Sequence, residues 1–282
     1  MEVCIVGLGL LGGSLGLAIK KAEADVRVLG VDTNPLHEEK ALSMGIADET
    51  GAFEDLVPRA DIVILATPVD IIALQVTAAL DILKEGAVLS DFGSAKRKIC
   101  ATADRHIRRD WFVAAHPIAG TEDSGPQASF AGLLAGKMMI ICDREKCQPE
   151  ALEKIEKLYT LVGMKLVYMS SSSHDSHIAY VSHLSHISSF ALGGTVLDKE
   201  RNEKNIFNMA GSGFSSTVRL AKSSPDMWAP IFGQNKENIT EALTNYIDRL
   251  ENFRNMLEKD DREGIYQFMK EANDIRRVLE GK

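Results

Sequence analysis

Residues 3–12 read Val-Cys-Ile-Val-Gly-Leu-Gly-Leu-Leu-Gly, and this stretch decides the fold. Four apolar residues predict a buried strand, and the glycines that follow have the spacing Gly-x-Gly-x-x-Gly before a helical pattern begins. The first glycine permits a tight turn, the second lets a pyrophosphate approach the backbone, and the third lets the helix pack on the strand. We therefore predict that a dinucleotide binds with its phosphates at the helix N-terminus. The predicted binding residues are Gly7, Gly9, Leu10, Leu11 and Gly12.

Asp32 indicates which dinucleotide binds. It ends the second predicted strand, where a carboxylate accepts hydrogen bonds from the adenosine ribose hydroxyls and repels a 2′-phosphate. No Arg or Lys occurs in residues 33–39 to bind such a phosphate. The sequence therefore favours NAD over NADP as the cofactor. An ordinary glycine-rich turn is the alternative, although it gives Asp32 no role.

Alternation of short apolar runs with helical patterns predicts the fold class. Between the strands lie segments with a 3.6-residue period, as in a doubly wound Rossmann-type sheet of parallel strands. The predicted strands are residues 2–6, 26–31, 61–66, 87–90, 112–115, 138–142 and 165–168. The predicted helices between them are 10–21, 35–44, 69–83, 95–108 and 149–162.

After residue 168 the strand patterns stop, which predicts an all-helical C-terminal domain. We place a dinucleotide-binding domain at 1–168 and a helical substrate-binding and dimerisation domain at 169–282. The predicted helices of the second domain are 175–197, 217–221, 225–232, 235–257 and 260–279. Those from 235 to 279 carry more apolar surface than a domain of this size can bury, so we expect a homodimer through them.

Composition excludes several classes of protein. The 282 residues carry a net charge of −8, and the longest basic run spans only residues 96–98, so a nucleic-acid partner is not expected. No apolar stretch is long enough to cross a membrane. The four cysteines show no metal-binding or redox spacing, and most lie in apolar runs. We expect a cytoplasmic protein with no membrane association.

Three other segments end predicted strands and therefore face the same crevice as the glycine loop. Thr67 and Pro68 follow the third strand and are predicted to contact the cofactor. Ser94 and His116 follow the next two strands and place a hydroxyl and an imidazole beside the nicotinamide. A helix-capping serine and a hydrogen-bonded loop histidine are the alternatives.

Four of the seven histidines occur in residues 174–177 and 183–186, with i, i+3 spacing in each pair. This spacing would place both rings of a pair on one helical face. No cysteine is near and only Asp175 adds a carboxylate, so we predict no metal site. Two interpretations stay open, namely buried structural histidines and a pocket for substrate carboxylates and carbonyls.

Arg219 lies among Val, Leu and Ala on a short predicted helix, which is unusual for a solvated charge. Its planar guanidinium suits a carboxylate and stays charged when partly buried. A surface arginine with its stem on the helix is the alternative.

Five segments together resemble the prephenate dehydrogenases of tyrosine biosynthesis. They are GLGLLGGSLG at 7–16, the segment around Ser94, HPIAGTEDSG at 116–125, HDSHIAYVSHLSH at 174–186 and GSGFSSTVRLAKSSPDMW at 211–228. The resemblance implies NAD-dependent oxidative decarboxylation of prephenate to 4-hydroxyphenylpyruvate and CO₂. It also implies a small-molecule substrate site that both domains supply.

Site roles follow from the same resemblance, residue by residue. His116 is the catalytic base for the C4 hydroxyl, and Ser94 helps to hold that hydroxyl. Arg219 receives a substrate carboxylate, His186 faces the pyruvyl side chain, and Glu122 lies near the pocket mouth. Gly213 belongs to the substrate-binding loop. The roles of His174, Asp175 and His183 are implied to be structural or supportive.

Two departures from the family pattern are visible. Ser185 replaces a frequent proline, and Ser215 and Ser216 replace a charged residue and an aspartate, which puts a salt bridge near the arginine loop in doubt. Three alternative functions stay open: arogenate dehydrogenase, a β-hydroxyacid-type dehydrogenase, and an NAD-binding redox sensor without turnover. No convincing lysine motif surrounds Lys222, as the hydroxyacid enzymes would require, and the acidic composition offers a sensor no DNA-binding face.

Overall fold

A computed structural model describes residues 1–22, 25–201 and 205–279. Eight strands form one sheet in the order β3-β2-β1-β4-β5-β6-β7-β8. The strands are β1 (Glu2–Val6), β2 (Arg27–Val31), β3 (Glu49–Thr50), β4 (Ile62–Leu65), β5 (Val88–Asp91), β6 (Phe112–Pro117), β7 (Met138–Cys142) and β8 (Lys165–Met169).

The sheet is parallel from β1 to β6, but β7 pairs antiparallel with β6 and β8 pairs parallel with β7. The prediction of a uniformly parallel sheet is therefore wrong at this end. The chain returns from β6 to β7 through a loop whose only helical turn is the 3₁₀ segment Pro126–Ala128, without a crossover helix. A parallel pair needs such a crossover, whereas an antiparallel pair does not.

Helices cover both faces of the sheet, as the doubly wound prediction requires. Along β4, Val63 and Leu65 join one buried apolar cluster, and Ile62 and Ile64 join the other. Successive strand residues point to opposite faces, so one strand supplies both cores. The continuous apolar character of these strands follows from this double burial.

The five helices predicted in the first half of the chain are present, although that of 95–108 is shorter than expected and the short segments Glu49–Thr50 and Phe53–Leu56 were not predicted. The helices are α1 (Leu10–Ala22), α2 (Pro35–Ser43), α3 (Phe53–Leu56), α4 (Val69–Ile82), α5 (Arg97–Ala103), α6 (Pro149–Leu161), α7 (Ser171–Ile178), α8 (Leu184–Glu200), α9 (Ser212–Thr217), α10 (Pro225–Gln234), α11 (Lys236–Glu258), α12 (Arg262–Ala272) and α13 (Arg276–Leu279).

The helical half differs from its prediction at three places. The expected helix 175–197 begins earlier, where Ser170 accepts a hydrogen bond from the Ser173 amide, and a π-helical turn at Ala179–His183 divides it into α7 and α8. The expected helix 217–221 is a 3₁₀ turn at Arg219–Lys222, preceded by α9. A 3₁₀ turn at Asn273–Ile275 divides the expected helix 260–279.

The chain divides into two compact units, Met1–Lys236 and Glu237–Lys282. The second unit contains most of α11 together with α12 and α13, and its helices pack through Phe253 and Phe268, whose ring centroids are 5.3 Å apart. Among the helices of the described residues, none combines the length and apolar character that a membrane crossing requires.

Candidate active site

The glycine loop between β1 and α1 has the geometry of a phosphate-binding turn. Gly7 has φ = +99°, and a Cβ there would lie 2.7 Å from the backbone of Ala66. A Cβ on Gly12 would overlap the carbonyl oxygen of Gly7, whereas the space beside Gly9 is open. A phosphate group could therefore approach the backbone closely at Gly9. There it would meet the amides of Leu10 and Leu11 at the start of α1. These residues fit a dinucleotide pyrophosphate.

Asp32 follows β2 and lies against the glycine loop. Its Oδ2 accepts from the Leu8 amide at 2.9 Å, and its Oδ1 accepts from the Asn34 amide at 2.9 Å. These two bonds fix the carboxylate beside the glycine loop. Nδ1 of His37 lies 3.3 Å from Oδ1 of Asp32.

Thr67 and Pro68 follow β4 directly beside the loop, since the Thr67 amide lies within 2.9 Å of the position for a Gly7 Cβ. The Thr67 hydroxyl donates to Oε1 of Gln75 at 2.7 Å. The structure thus brings the predicted cofactor residues to one edge of the sheet.

His116 lies in β6 at the same edge and is almost fully buried. Its Nδ1 is 2.8 Å from Nε2 of His174, and Nδ1 of His174 is 2.8 Å from Oδ1 of Asp175. We call His116, His174 and Asp175 the imidazole relay. All three side chains are buried, and two backbone amides at the start of α5 also donate to Asp175.

Burial lowers the pKa of His116 well below its ordinary value of about 6.5, and the neighbouring His174, Lys96 and His183 lower it further. Burial also lowers the pKa of His174, although Asp175 opposes this shift. Both rings are therefore neutral near pH 7. A neutral imidazole can accept a proton, so this site can perform base chemistry.

A buried ion pair lies beside the relay. Lys96 and Asp91 are both fully buried, with the ammonium group bonded to the Asp91 carboxylate and, at 2.7 Å, to the carbonyl of Ala115. Lys96 belongs to the basic run 96–98, in which the sequence alone gives it no particular role. In the structure Lys96 instead supports the backbone next to His116.

Ser94 follows β5 at the same edge of the sheet and is half-buried. Within the described residues, its hydroxyl makes no hydrogen bond to His116. Ser94 therefore lies just after β5, the strand that it was predicted to follow, but it is not hydrogen-bonded to the relay.

A second group of predicted residues surrounds Trp228 in α10. His186 stacks on this indole with ring centroids 3.5 Å apart, and His183 packs edge-on against it at 6.0 Å. Burial lowers the pKa of His186, the hydrogen bond to the Ser182 carbonyl opposes this shift, and the charge of Arg219 adds to it. Trp228 thus contacts both histidines of the second pair, which sequence reasoning missed.

Arg219 and Glu122 form an ion pair at the surface, with Nη1 and Oε2 3.4 Å apart, and we call them the arginine pair. The Arg219 side chain is 54% exposed and that of Glu122 39% exposed, so Arg219 is a surface arginine and the expectation of a partly buried one is wrong. Gly213 lies in α9, which precedes the arginine turn, and open space surrounds it.

The π-helical turn at Ala179–His183 determines which histidines meet. Nine residues separate His174 from His183, and at about 100° per residue a regular α-helix would place them on opposite faces. The wider turn absorbs one extra residue and brings His183 round toward His174. Asn235 then bridges Asp175 and His183, since its amide nitrogen lies 2.7 Å from the Asp175 carbonyl and 3.3 Å from Nδ1 of His183.

The two histidines of the first pair differ in burial. His174 is buried, but His177 is exposed to solvent. No sequence signal marks the π turn. The burial of His174 could have been inferred only from its apolar neighbours on α7, such as Ile178.

These features define a Rossmann-type dinucleotide-binding protein with a buried neutral imidazole at the edge that carries the glycine loop. Comparison with known families gives the particular family. The family described as prephenate dehydrogenase, nucleotide-binding domain, matches residues 15–168, and that described as prephenate dehydrogenase, dimerization domain, matches residues 170–271. The chain belongs to the prephenate dehydrogenase family, which confirms the resemblance inferred from its motifs.

Individual relatives agree with this assignment. A prephenate dehydrogenase of Bacillus subtilis (strain 168) is 32% identical over 278 residues, which cover 97% of this chain and 75% of the relative. A cyclohexadienyl dehydrogenase of Zymomonas mobilis is 29% identical over 280 residues, covering 99% and 96%. The crystal structure of prephenate dehydrogenase from A. aeolicus, in complex with hydroxyphenyl propionate and NAD⁺, is 33% identical with a TM-score of 0.91, covering 99% of this chain and 98% of that one.

Proposed function

We propose that this protein catalyses the NAD-dependent oxidative decarboxylation of prephenate to 4-hydroxyphenylpyruvate and CO₂. The observation that carries the proposal is the neutral, buried His116 at the sheet edge of the glycine loop, in a chain of this family. Bound NAD⁺ supplies the acceptor for the hydride that leaves C4 of the substrate.

His116 acts as the base for the C4 hydroxyl. The O–H bond breaks and an N–H bond forms on the imidazole, while the O–H electron pair forms the C4 carbonyl as the hydride departs. Loss of the ring carboxylate as CO₂ then returns its electron pair to the ring, which becomes aromatic. The proton on His116 goes back to the oxygen to give the phenol, because the overall reaction releases no proton. Ser94 helps to hold the same hydroxyl.

Arg219 and His186 bind the substrate, and Glu122 lies at the pocket mouth as the partner that a substrate carboxylate replaces on Arg219. Arg219 offers an exposed guanidinium to a carboxylate. Because its contact with Glu122 is long, a substrate carboxylate can replace Glu122 there. If Arg219 holds the departing carboxylate, its contribution is positioning, because that charge disperses in the transition state. His186 faces the side chain of the substrate. Gly213, in α9 just before the arginine turn, belongs to the same substrate site.

The cofactor is held by the loop described above, with Asp32 on the adenosine ribose. Its supporting residues are Gly7, Gly9, Leu10, Leu11, Gly12, Thr67 and Pro68. The Ser129 hydroxyl steadies this loop by donating to the carbonyls of Gly9 and Leu10, each at 3.2 Å.

We further propose that residues 1–168 bind the cofactor, that 169–282 complete the substrate site, and that two copies associate through the helices of 235–279. Large apolar side chains on α11 and α12, including Leu250, Tyr266 and Met269, are about half exposed, which supports an interface. The buried free thiols of Cys4, Cys100 and Cys142 support a reducing, cytoplasmic location.

Arogenate is a second candidate substrate, and the tautomer of His186 favours it. Nδ1 of His186 lies 3.0 Å from the Ser182 carbonyl, which can only accept, so Nδ1 carries the hydrogen. Because burial lowers the pKa of His186, the neutral ring offers only an acceptor at Nε2. An acceptor suits the ammonium group of arogenate, whereas the ketone of prephenate requires a donor.

Steady-state rates with prephenate, arogenate and a 3-hydroxy acid, each with NAD⁺, test the proposal. We expect turnover of prephenate, and a ratio of kcat/KM for prephenate over arogenate that rises as acid protonates His186. Turnover of the 3-hydroxy acid alone would contradict the proposed function. NAD⁺ binding by calorimetry without turnover of any cyclohexadienyl acid would favour a sensor instead.

A further inference from the structure

The imidazole relay has a definite direction. Oδ1 of Asp175 accepts from the Lys96 amide at 2.7 Å, and Oδ2 accepts from the Arg97 amide at 2.9 Å. Although burial alone would raise it, hydrogen bonds from His174 and these amides hold the pKa of Asp175 below its ordinary value. Asp175 is therefore an ionised carboxylate, which can only accept hydrogen bonds.

Hydrogen positions follow along the chain. Since Asp175 only accepts, Nδ1 of His174 must carry the hydrogen at their 2.8 Å contact. Neutral His174 then has a lone pair on Nε2, so Nδ1 of His116 must donate across their 2.8 Å contact. Neutral His116 is left with a lone pair on Nε2, in the tautomer that free histidine populates less in water.

We propose that His174, oriented by Asp175, is a positioning residue that fixes His116 in the Nδ1–H tautomer and so reserves Nε2 as the proton acceptor. The inference rests on the proposed function, because it explains how His116 is prepared to act as the base. It gives His174 and Asp175 a defined role where the motifs implied only structural support. When Nε2 takes the proton, the Nδ1–H bond to His174 remains and stabilises the imidazolium.

The relay, and not the other groups around His116, selects the tautomer of His116. Besides His174, the charged or titratable groups that act on His116 are Lys96 and His183. Lys96 directs two of its three ammonium hydrogens to Asp91 and to the Ala115 carbonyl, and among the described residues it makes no hydrogen bond to His116. Asn235 lies 3.3 Å from Nδ1 of His183, and the described part of the chain shows no hydrogen bond between His183 and His116.

Nitrogen-15 NMR of the ring in the free enzyme near pH 7 tests the tautomer directly, with the His116→Asn variant used to assign the signal. We expect a protonated Nδ1 and an unprotonated Nε2. A protonated Nε2 would overturn the inference even if the enzyme turns over prephenate. Because the measurement needs no substrate, failure of the proposed function would leave this result unaffected.

Two variants of His174 separate positioning from packing. His174→Phe keeps a ring but removes the acceptor, so we expect kcat to fall roughly 10- to 100-fold while KM and NAD⁺ affinity change less than about 3-fold. In His174→Gln, the Asp175 carboxylate attracts the amide NH₂ and the amide oxygen faces His116. We expect this variant to recover most of kcat and the Nδ1–H signal.

His177→Phe is the matched control, because His177 is exposed on the same helix, and it should retain wild-type kinetics. Equal losses of kcat in His174→Phe and His174→Gln, or wild-type kcat in both, would refute the positioning role. If His174→Phe does not fold, the NMR signal of the wild-type enzyme and the kinetics of His174→Gln still decide the question.

Discussion

The imidazole relay and the arginine pair differ in how completely the protein determines them. Every polar ring atom between His116 and Asp175 has a partner within the protein, and the three side chains are buried. Arg219 and Glu122 are largely hydrated and meet through one contact of 3.4 Å. An exposed ion pair of this kind contributes little to stability, because water competes for both charges.

This difference separates two tasks of one active site. A base must have its proton acceptor fixed before the substrate arrives, which a buried network provides. A binding cation must exchange one carboxylate for another, which an exposed and weakly held arginine allows. The difference predicts that relay variants change kcat, that the buried His183 nearby makes stability depend on pH, and that variants of the arginine pair change KM.

The largest effect is expected at His116. His116→Asn removes the proton acceptor, so kcat should fall by at least about 10²-fold, with NAD⁺ affinity nearly unchanged. In the wild-type enzyme, the acid limb of kcat/KM should lie below the ordinary histidine pKa, because burial and the neighbouring groups lower the pKa of His116. Steady-state kinetics and calorimetry measure both. A variant that keeps most of its turnover would remove His116 from the mechanism.

His183 should make stability depend on pH. Burial lowers its pKa from 6.5 to about 4, with His174 and His186 adding to the shift and Asp175 opposing it. Between these values the unfolded chain binds a proton that the folded one does not, so stability is lost as pH falls from 6.5 toward 4. The loss from pH 7 to pH 5 is about 2 kcal/mol for this group.

Urea unfolding at pH 7 and pH 5 measures this loss in the wild-type protein and in His183→Gln. The variant should lose about 2 kcal/mol less than the wild type. Should it fail to fold, an NMR titration of the wild-type ring is informative, since a midpoint near 6.5 would contradict the expected shift.

Arg219→Ala should act on binding. Loss of one charge-assisted contact to a substrate carboxylate should raise KM about 10-fold, with a smaller change in kcat and little change in Tm. Arg201→Ala, which removes another exposed arginine, is the control and should leave KM unchanged. A kcat effect larger than the KM effect would assign Arg219 to the chemistry and erase the contrast with the relay.

The smallest effect is expected at Glu122. Glu122→Gln removes the competitor for Arg219 while retaining the size of the side chain, so KM should fall or stay within about 3-fold and Tm should not change. A 10-fold rise in KM would show that Glu122 instead holds the arginine in place for the substrate.

Several of these features could be predicted from the sequence because they depend on local periodicity. The glycine spacing, Asp32 and the positions of Thr67 and His116 at strand ends all follow from where strands stop. The antiparallel β7 could not be predicted, because the apolar run of Met138–Cys142 is compatible with either direction.

The site contacts depend on tertiary structure and were less predictable. Lys96 reads as part of a basic run, and only the fold shows that Asp91 pairs with it in the core. The contact of His174 with His116 joins residues 58 positions apart. Motif resemblance identified His174 as important, but only the distances show which atom faces which.

The π-helical turn has a consequence for comparing sequences of different length. It absorbs one residue without changing the phase of the helix that follows, so deleting a single residue from 179–183 would restore a regular α-helix and leave the later side chains where they are. His186 would then stay on the indole of Trp228, and His183 would stay beside Asn235. An alignment gap of one residue in this short segment would therefore report a regular helix around the same pocket, rather than a rebuilt pocket.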